Sequence, residues 1–265
     1  MATRTIRAKG RGLRRSASSK RGPAPQPRLG ADLPAVDGAL DEAALFRLMT
    51  WLSPAYPVGA FSYSSGIEWA VEAGDINDAA TLLAWLAAMM TEGSGWSDSV
   101  FFSAAYRALT AADDGALFET AELAAALAAN RERYAETTTL GGAFIEVTRA
   151  AWPCEALNRL QAAWRGPVAY PVAVGAACAG HGIALRPALN AFVTALVSNW
   201  ISAGLRLVPL GHTDGQRLLN AFAPIVAATA RQAVDARLED VASTTFRADI
   251  AGAKHETQYT RLFRS

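Results

Sequence analysis

Three histidines, two cysteines and a few closely spaced acids carry whatever side-chain chemistry this sequence can do. His181, His212 and His255 stand singly, and no HExxH helix or paired-cysteine spacing gathers them into a ligand set. A lone histidine is more often a hydrogen-bonded structural residue than a metal ligand. Cys154 and Cys178 are too few for a disulfide framework and match no metal motif, which suits a reducing compartment. Glu68 and Glu72, four apart, share a face if they lie on a helix. With no second acid–base partner in view they read as a cap and as solvated surface, ahead of a general acid and base. The chain has no GxxxxGK[ST] loop and no GxSxG elbow. The glycine-rich run VGAACAGHG lacks the strand–turn–helix context of a dinucleotide site, and reads as helix packing followed by a turn. No catalytic residue, metal or cofactor is expected.

The elements that must position these residues are helical throughout. Leu45, Leu48, Met49 and Leu52 recur at helical spacing behind an Asp-Glu start. Pro54 and Pro57 then force an extended connector. Ser65-x-x-Glu68 reads as a capping box for a helix ended by Gly74. Further helices are expected over 82–90, 100–109 and 116–129, with a break at Gly141-Gly142. Pro187 fits the start of a helix carrying Leu189, Phe192, Val193, Leu196, Val197, Trp200 and Ile201. Thr213-x-x-Gln216 reads as a second capping box, before a helix that must accommodate Pro224. No segment alternates apolar and polar residues between turn signals. The fold class is therefore all-α, a single-domain bundle of about eight to ten helices.

Charge divides the chain unevenly. Residues 1–30 hold nine Lys/Arg and no acid, leaving 16 basic against 24 acidic residues in the remainder. Residues 1–38 form a basic leader, expected to be disordered, with no hydrophobic run of a secretory signal. Residues 39–240 form the helical domain, and an acidic globule of this kind argues against nucleic acid. Two charge-free stretches, 166–185 and 187–205, are long enough to cross a membrane. Their Pro, Gly, Asn and Ser content reads instead as buried core helices, so no membrane partner is expected. Residues 241–265 form a tail of lower hydrophobic density, where Lys254, His255, Glu256 and Arg261 alternate with Tyr259, Leu262 and Phe263. Such a tail needs a surface to dock against, its own domain or a partner's.

Four colinear blocks resemble the UreF family of urease accessory proteins. Residues 53–69, SPAYPVGAFSYSSGIEW, resemble its SPxxPxGxFxYSxGLE signature, with Ile67 for Leu, and residues 47–52 lead into it. Residues 198–218, SNWISAGLRLVPLGHTDGQRL, and 254–265, KHETQYTRLFRS, resemble its later blocks, with Thr260 for Ser. The match spans about 40–265, is loose over 110–165 and leaves out the leader. The resemblance implies a helical, non-catalytic, cytoplasmic, dimeric scaffold. It implies as partners a UreD (UreH)-like accessory protein, a UreG-like GTPase whose activity the chain modulates, and apo-urease, to which nickel is delivered. It directs attention to Tyr56, Pro57, Gly59, Phe61, Tyr63, Glu68 and Arg206 with the tail residues 254–256, 259 and 261–263 as partner-binding residues. Arg206 and Arg217 are candidate tethers for the tail or a neighbouring carboxylate. Tail residues 254–265 are expected to order on partner binding, with Arg261 reaching the Pro57–Tyr63 loop. The competing reading is an enzyme with an unrecognised site in a helical core, which turnover by the isolated chain would reveal.

Overall fold

The Asp41 carboxylate accepts the main-chain N–H of Ala44 at 2.5 Å and opens α1 (Glu42–Trp51), as an acid ahead of an apolar stripe should. The computed structural model describes residues 1–2 and 40–265. The basic leader 1–38, apart from Met1 and Ala2, lies outside the described residues. The described residues contain helices and no strand, so the all-α class stands. After α1 come α2 (Ile67–Glu72), α3 (Ala79–Glu92), α4 (Ser94–Thr110), α5 (Asp114–Ala126), α6 (Arg131–Ala151), α7 (Glu155–Ala163), α8 (Tyr170–Gly180), α9 (Leu185–Leu207), α10 (His212–Ala233) and α11 (Phe246–His255).

Helix α8 is buried from Pro171 to Cys178 and packs against α4, α6, α7 and α9. Burial pushes the Cys178 thiol well above its ordinary value, with a smaller push from Cys154, which makes it an inert core residue. A row of aromatic rings crosses the same core. Trp51 meets Phe144 edge-on at 6.1 Å, Phe144 meets Tyr170 at 5.9 Å, Tyr170 meets Phe192 at 5.7 Å, and Phe192 meets Phe102 at 5.1 Å. Tilted and edge-to-face pairs of this kind add about 0.5–1.5 kcal/mol each beyond the area they bury. Helix α9 is long and apolar enough to cross a membrane by length and composition, and half of its most apolar window is buried within the bundle.

Three local expectations change. Gly141-Gly142 does not break the chain, because α6 runs through it. A Cβ at Gly141 would collide with the Val168 carbonyl, so the glycine serves close packing of α6 against the segment entering α8. Ser65 is no cap: its backbone is left-handed, with φ 53°, and Gly66 precedes α2. Thr213 is no cap either, since α10 starts one residue earlier and the Asp214 carboxylate takes the Gly211 N–H at 3.1 Å. Gly74 does end α2, with φ 79° and its N–H on the Val71 carbonyl.

Candidate partner-binding site

Glu68 sits in the first turn of α2 and is buried. An ionised carboxylate at that depth requires several donors, and the C-terminal segment supplies them. The main-chain N–H of Leu262 reaches Glu68 Oε1 at 2.6 Å and that of Phe263 reaches Oε2 at 2.9 Å. The His255 ring, fully buried at the end of α11, bridges two carboxylates. Its Nε2 lies 3.0 Å from Glu68 Oε2 and its Nδ1 lies 2.6 Å from Glu132 Oε2 on α6. Arg261 donates to the other oxygen of Glu132 at 2.9 Å. Glu256 accepts the main-chain N–H of Arg131 at 3.1 Å, at the start of α6.

The connector before α2 closes the other side. Ser64 donates both its main-chain N–H and its hydroxyl to the Ser265 carbonyl, each at 2.5 Å. The Arg264 N–H meets the Ser62 carbonyl at 2.8 Å. Arg206, near the end of α9, lies over the Phe263 ring at 4.1 Å and donates to the Phe61 carbonyl at 2.9 Å. One guanidinium thus ties the connector to the tail, using its planar face and its edge at once. Gly66 lets α11 approach: its φ is 81°, and a Cβ there would lie 2.8 Å from the Gly252 nitrogen.

Behind the clasp, Ser65 links to a buried ionic row. Its hydroxyl donates to Glu136 at 3.0 Å and accepts from the Trp200 indole at 3.0 Å. Arg133 contacts Asp98 at 2.5 Å and Glu136 at 3.4 Å. Burial pushes both the Asp98 and Glu136 carboxyls above their usual range, and Arg133 opposes the push. Beside this row lies a cavity of about 70 Å³, lined by Asp98, Arg133, Glu136 and Asp249 among others. That is room for a few waters at about 10–15 Å³ each.

The expected site residues therefore divide. Glu68, His255, Glu256, Arg261, Phe263 and Arg206 are brought together, with Phe61 beside them and 62 % exposed. Tyr56 belongs to the core, with its hydroxyl 2.9 Å from Thr148 Oγ1 and its ring against Phe144. Tyr63 is buried, while Pro57 and Lys254 stand in solvent. Gly59 takes φ 80° ahead of a 3-10 turn. Leu262 and Tyr259 are largely exposed. Arg261 goes to Glu132 and not to the Pro57–Tyr63 loop; Arg264 meets the loop at Ser62, Phe263 meets it through Arg206, and Ser265 meets Ser64 just beyond it. The tail expected to await a partner is packed on its own chain, because Glu68 and Glu132 supply the acceptors its donors require. Arg217 pairs locally with Asp214 at 2.9 Å.

Sequence reasoning missed Glu132, Arg133 and Glu136. Their signal was present: Glu132 and Glu136 are like charges one helical turn apart, a mildly unfavourable arrangement unless cations answer them. His255, Arg261 and Arg133 are those cations or donors. The other histidines do different work: His181 Nε2 lies 3.1 Å from the Trp152 carbonyl, and His212 begins α10. Among the described residues, no three His, Cys, Asp or Glu side chains are grouped to hold a metal ion.

The UreF family model matches residues 76–223. A urease accessory protein UreF of Bradyrhizobium diazoefficiens is 59 % identical over 227 residues, covering 86 % of this chain and 94 % of the relative. The chain belongs to the UreF family. A urease accessory protein UreF of Rhodopseudomonas palustris strain HaA2 is 60 % identical over 223 residues, with 84 % and 94 % covered. A further UreF from Bradyrhizobium sp. strain ORS 278 is 58 % identical over 233 residues, with 88 % and 97 % covered. In this UreF-family chain the clasp joins segments 53–69 and 254–265, which lie on either side of the stretch that the family model matches.

Proposed function

We propose that this chain is a non-catalytic accessory protein of urease maturation. It works as a scaffold that holds a UreD (UreH)-like protein and a UreG-like GTPase together for nickel delivery to cytoplasmic apo-urease, and it modulates the GTPase. Nickel in this reading is the cargo of the complex. The relatives' name supports the accessory role. One observation carries the scaffold reading: the Glu68–Phe263 clasp holds the C-terminal segment against the connector, with Phe61, Leu262 and Tyr259 turned to solvent. A surface that spends ordered backbone on exposing Phe61, Leu262 and Tyr259 is suited to contact another protein.

The homodimer belongs to the same proposal. Leu45, Phe46 and Met49 of α1 are 47 %, 61 % and 69 % exposed, an apolar face that a second copy would cover. Sedimentation at micromolar concentration is expected to show a species of twice 28.0 kDa; a monomer at every concentration would remove the dimer from the proposal.

The deciding experiment is a pull-down from cells that express a urease operon, with retained proteins identified by mass spectrometry. The GTPase, its accessory partner and urease subunits are expected. Recovery of none of them, or turnover of a substrate by the pure chain, would overturn the scaffold reading in favour of an enzyme.

A further inference from the structure

We infer that the groove between the start of α6 and the C-terminal segment is a receptor for one carboxylate side chain on a partner protein. The inference deepens the scaffold reading, on which it rests for the existence of a partner. The groove has a volume of about 500 Å³ and is lined by Tyr63, Arg131, Glu132, Glu256, Arg261 and Arg264 among others. That is space for a side chain and the backbone on either side of it.

The charges decide what fits. Arg131 and Arg264 are exposed, and among the described residues neither guanidinium has a carboxylate within 4.0 Å. Arg261 uses one terminal nitrogen on Glu132, and its other donors have no partner among the described residues. The two acids of the groove are already engaged. Glu132 takes His255 and Arg261, one on each oxygen, and Glu256 takes the Arg131 N–H. Three guanidinium groups against two carboxylates leave one positive charge over. One monoanion balances it; a dianionic phosphate group leaves an excess negative charge beside Glu132 and Glu256.

The rest of the molecule points the same way. Beyond the leader, acidic residues outnumber basic ones, 24 to 16. A polyanion such as nucleic acid brings charge over many ångströms and meets that field within a Debye length of about 8–10 Å. A single Asp or Glu on an otherwise neutral segment does not. Guanidinium forks take carboxylates in two-pronged geometry, which fixes orientation as well as charge.

The test uses the full chain with ¹⁵N-labelled arginine and follows the Nε–H signals. The probes are acetyl-Gly-Glu-Gly-amide, its Gln counterpart and inorganic phosphate at equal ionic strength. The Glu peptide is expected to move the Arg131 and Arg264 signals saturably, and the Gln peptide is not. In the double variant Arg131→Gln/Arg264→Gln the affinity is expected to fall about tenfold, as two exposed charge pairs are lost. Amide protection of Phe263 should be unchanged there, which shows the clasp intact. Equal response to both peptides, no response to either, or tighter binding of phosphate would overturn the inference. A chain that binds the Glu peptide but retains no urease protein in the pull-down would overturn the scaffold reading and leave the groove standing.

Discussion

The carboxylate of Glu68 accepts the main-chain N–H of Phe263 at 2.9 Å although 195 positions separate the two residues. With the neighbouring Leu262 N–H and the His255 ring on the same carboxylate, one side chain of α2 fixes the direction in which the chain leaves α11. Hydrogen bonds to a buried charge contribute about 1.5–3 kcal/mol each, and leaving such a group unpaired costs at least as much.

Replacement Glu68→Gln is therefore expected to release the tail without unfolding the bundle. The amide nitrogen would face a main-chain donor where an oxygen now accepts, so at least one of the three contacts becomes a clash of donors. Hydrogen exchange should show the Leu262 and Phe263 amides losing protection worth about 2 kcal/mol. Amides of α8, in the core, should exchange as in the wild type. Unchanged protection at Leu262 and Phe263 would contradict the clasp.

Arg206→Lys tests the tie between connector and tail. A lysine keeps the charge but loses the flat face over Phe263 and the fork that reaches the Phe61 carbonyl. A loss of about 1 kcal/mol is expected, read as faster proteolysis within residues 256–265. A global melting point unchanged within a degree or two would show that the effect is local.

Much of this architecture was legible from the sequence, and the failures have physical reasons. Apolar spacing located α1, α3 and α9 because those helices bury a stripe, and helix-forming composition located α5. Gly141 misled because a glycine needed for close approach and a glycine that breaks a helix look alike in one dimension. Ser65 misled because its capping pattern was correct in spacing, while Trp200 and Glu136, 135 and 71 positions away, claim its hydroxyl. The tail residues stood out, but their acceptors lie on α6, where only long-range contact gives two like-charged glutamates a purpose.

The buried ionic row makes a pH-dependent prediction. Burial raises the Glu136 carboxyl above its ordinary value of 4.5, against the opposing pull of Arg133. A carboxyl whose pKa is higher folded than unfolded favours the folded state below the unfolded value, and that contribution is lost as pH rises through the folded value. The stability of the wild type minus that of Glu136→Gln should therefore be greatest below about pH 4.5 and fall above it. The slope within that window should not exceed about 1.4 kcal/mol per pH unit. Urea melts of both proteins from pH 4 to 8 measure it. A difference that grows with pH would mean that Arg133 outweighs burial.

Gly66 and Gly74 offer the sharpest test of how α11 is seated. Both have left-handed backbones, φ 81° and φ 79°, so an alanine at either position suffers the same conformational strain, about 1–2 kcal/mol. They differ in what surrounds them. A Cβ at Gly74 meets nothing within 4 Å, whereas at Gly66 it meets the Gly252 nitrogen at 2.8 Å and its Cα at 3.1 Å. Both obstacles are backbone, which cannot rotate aside, so α11 must shift as a body. Gly66→Ala should thus cost more than Gly74→Ala in equilibrium unfolding, and the excess measures the packing of α11 on α2. The shift would also draw His255 away from Glu68, three residues beyond Gly252. Gly66→Ala should therefore lower amide protection at Leu262 and Phe263, as Glu68→Gln does, while Gly74→Ala leaves it intact. Equal losses from the two alanines would show that α11 is seated by its tail contacts and not by the Gly66–Gly252 approach.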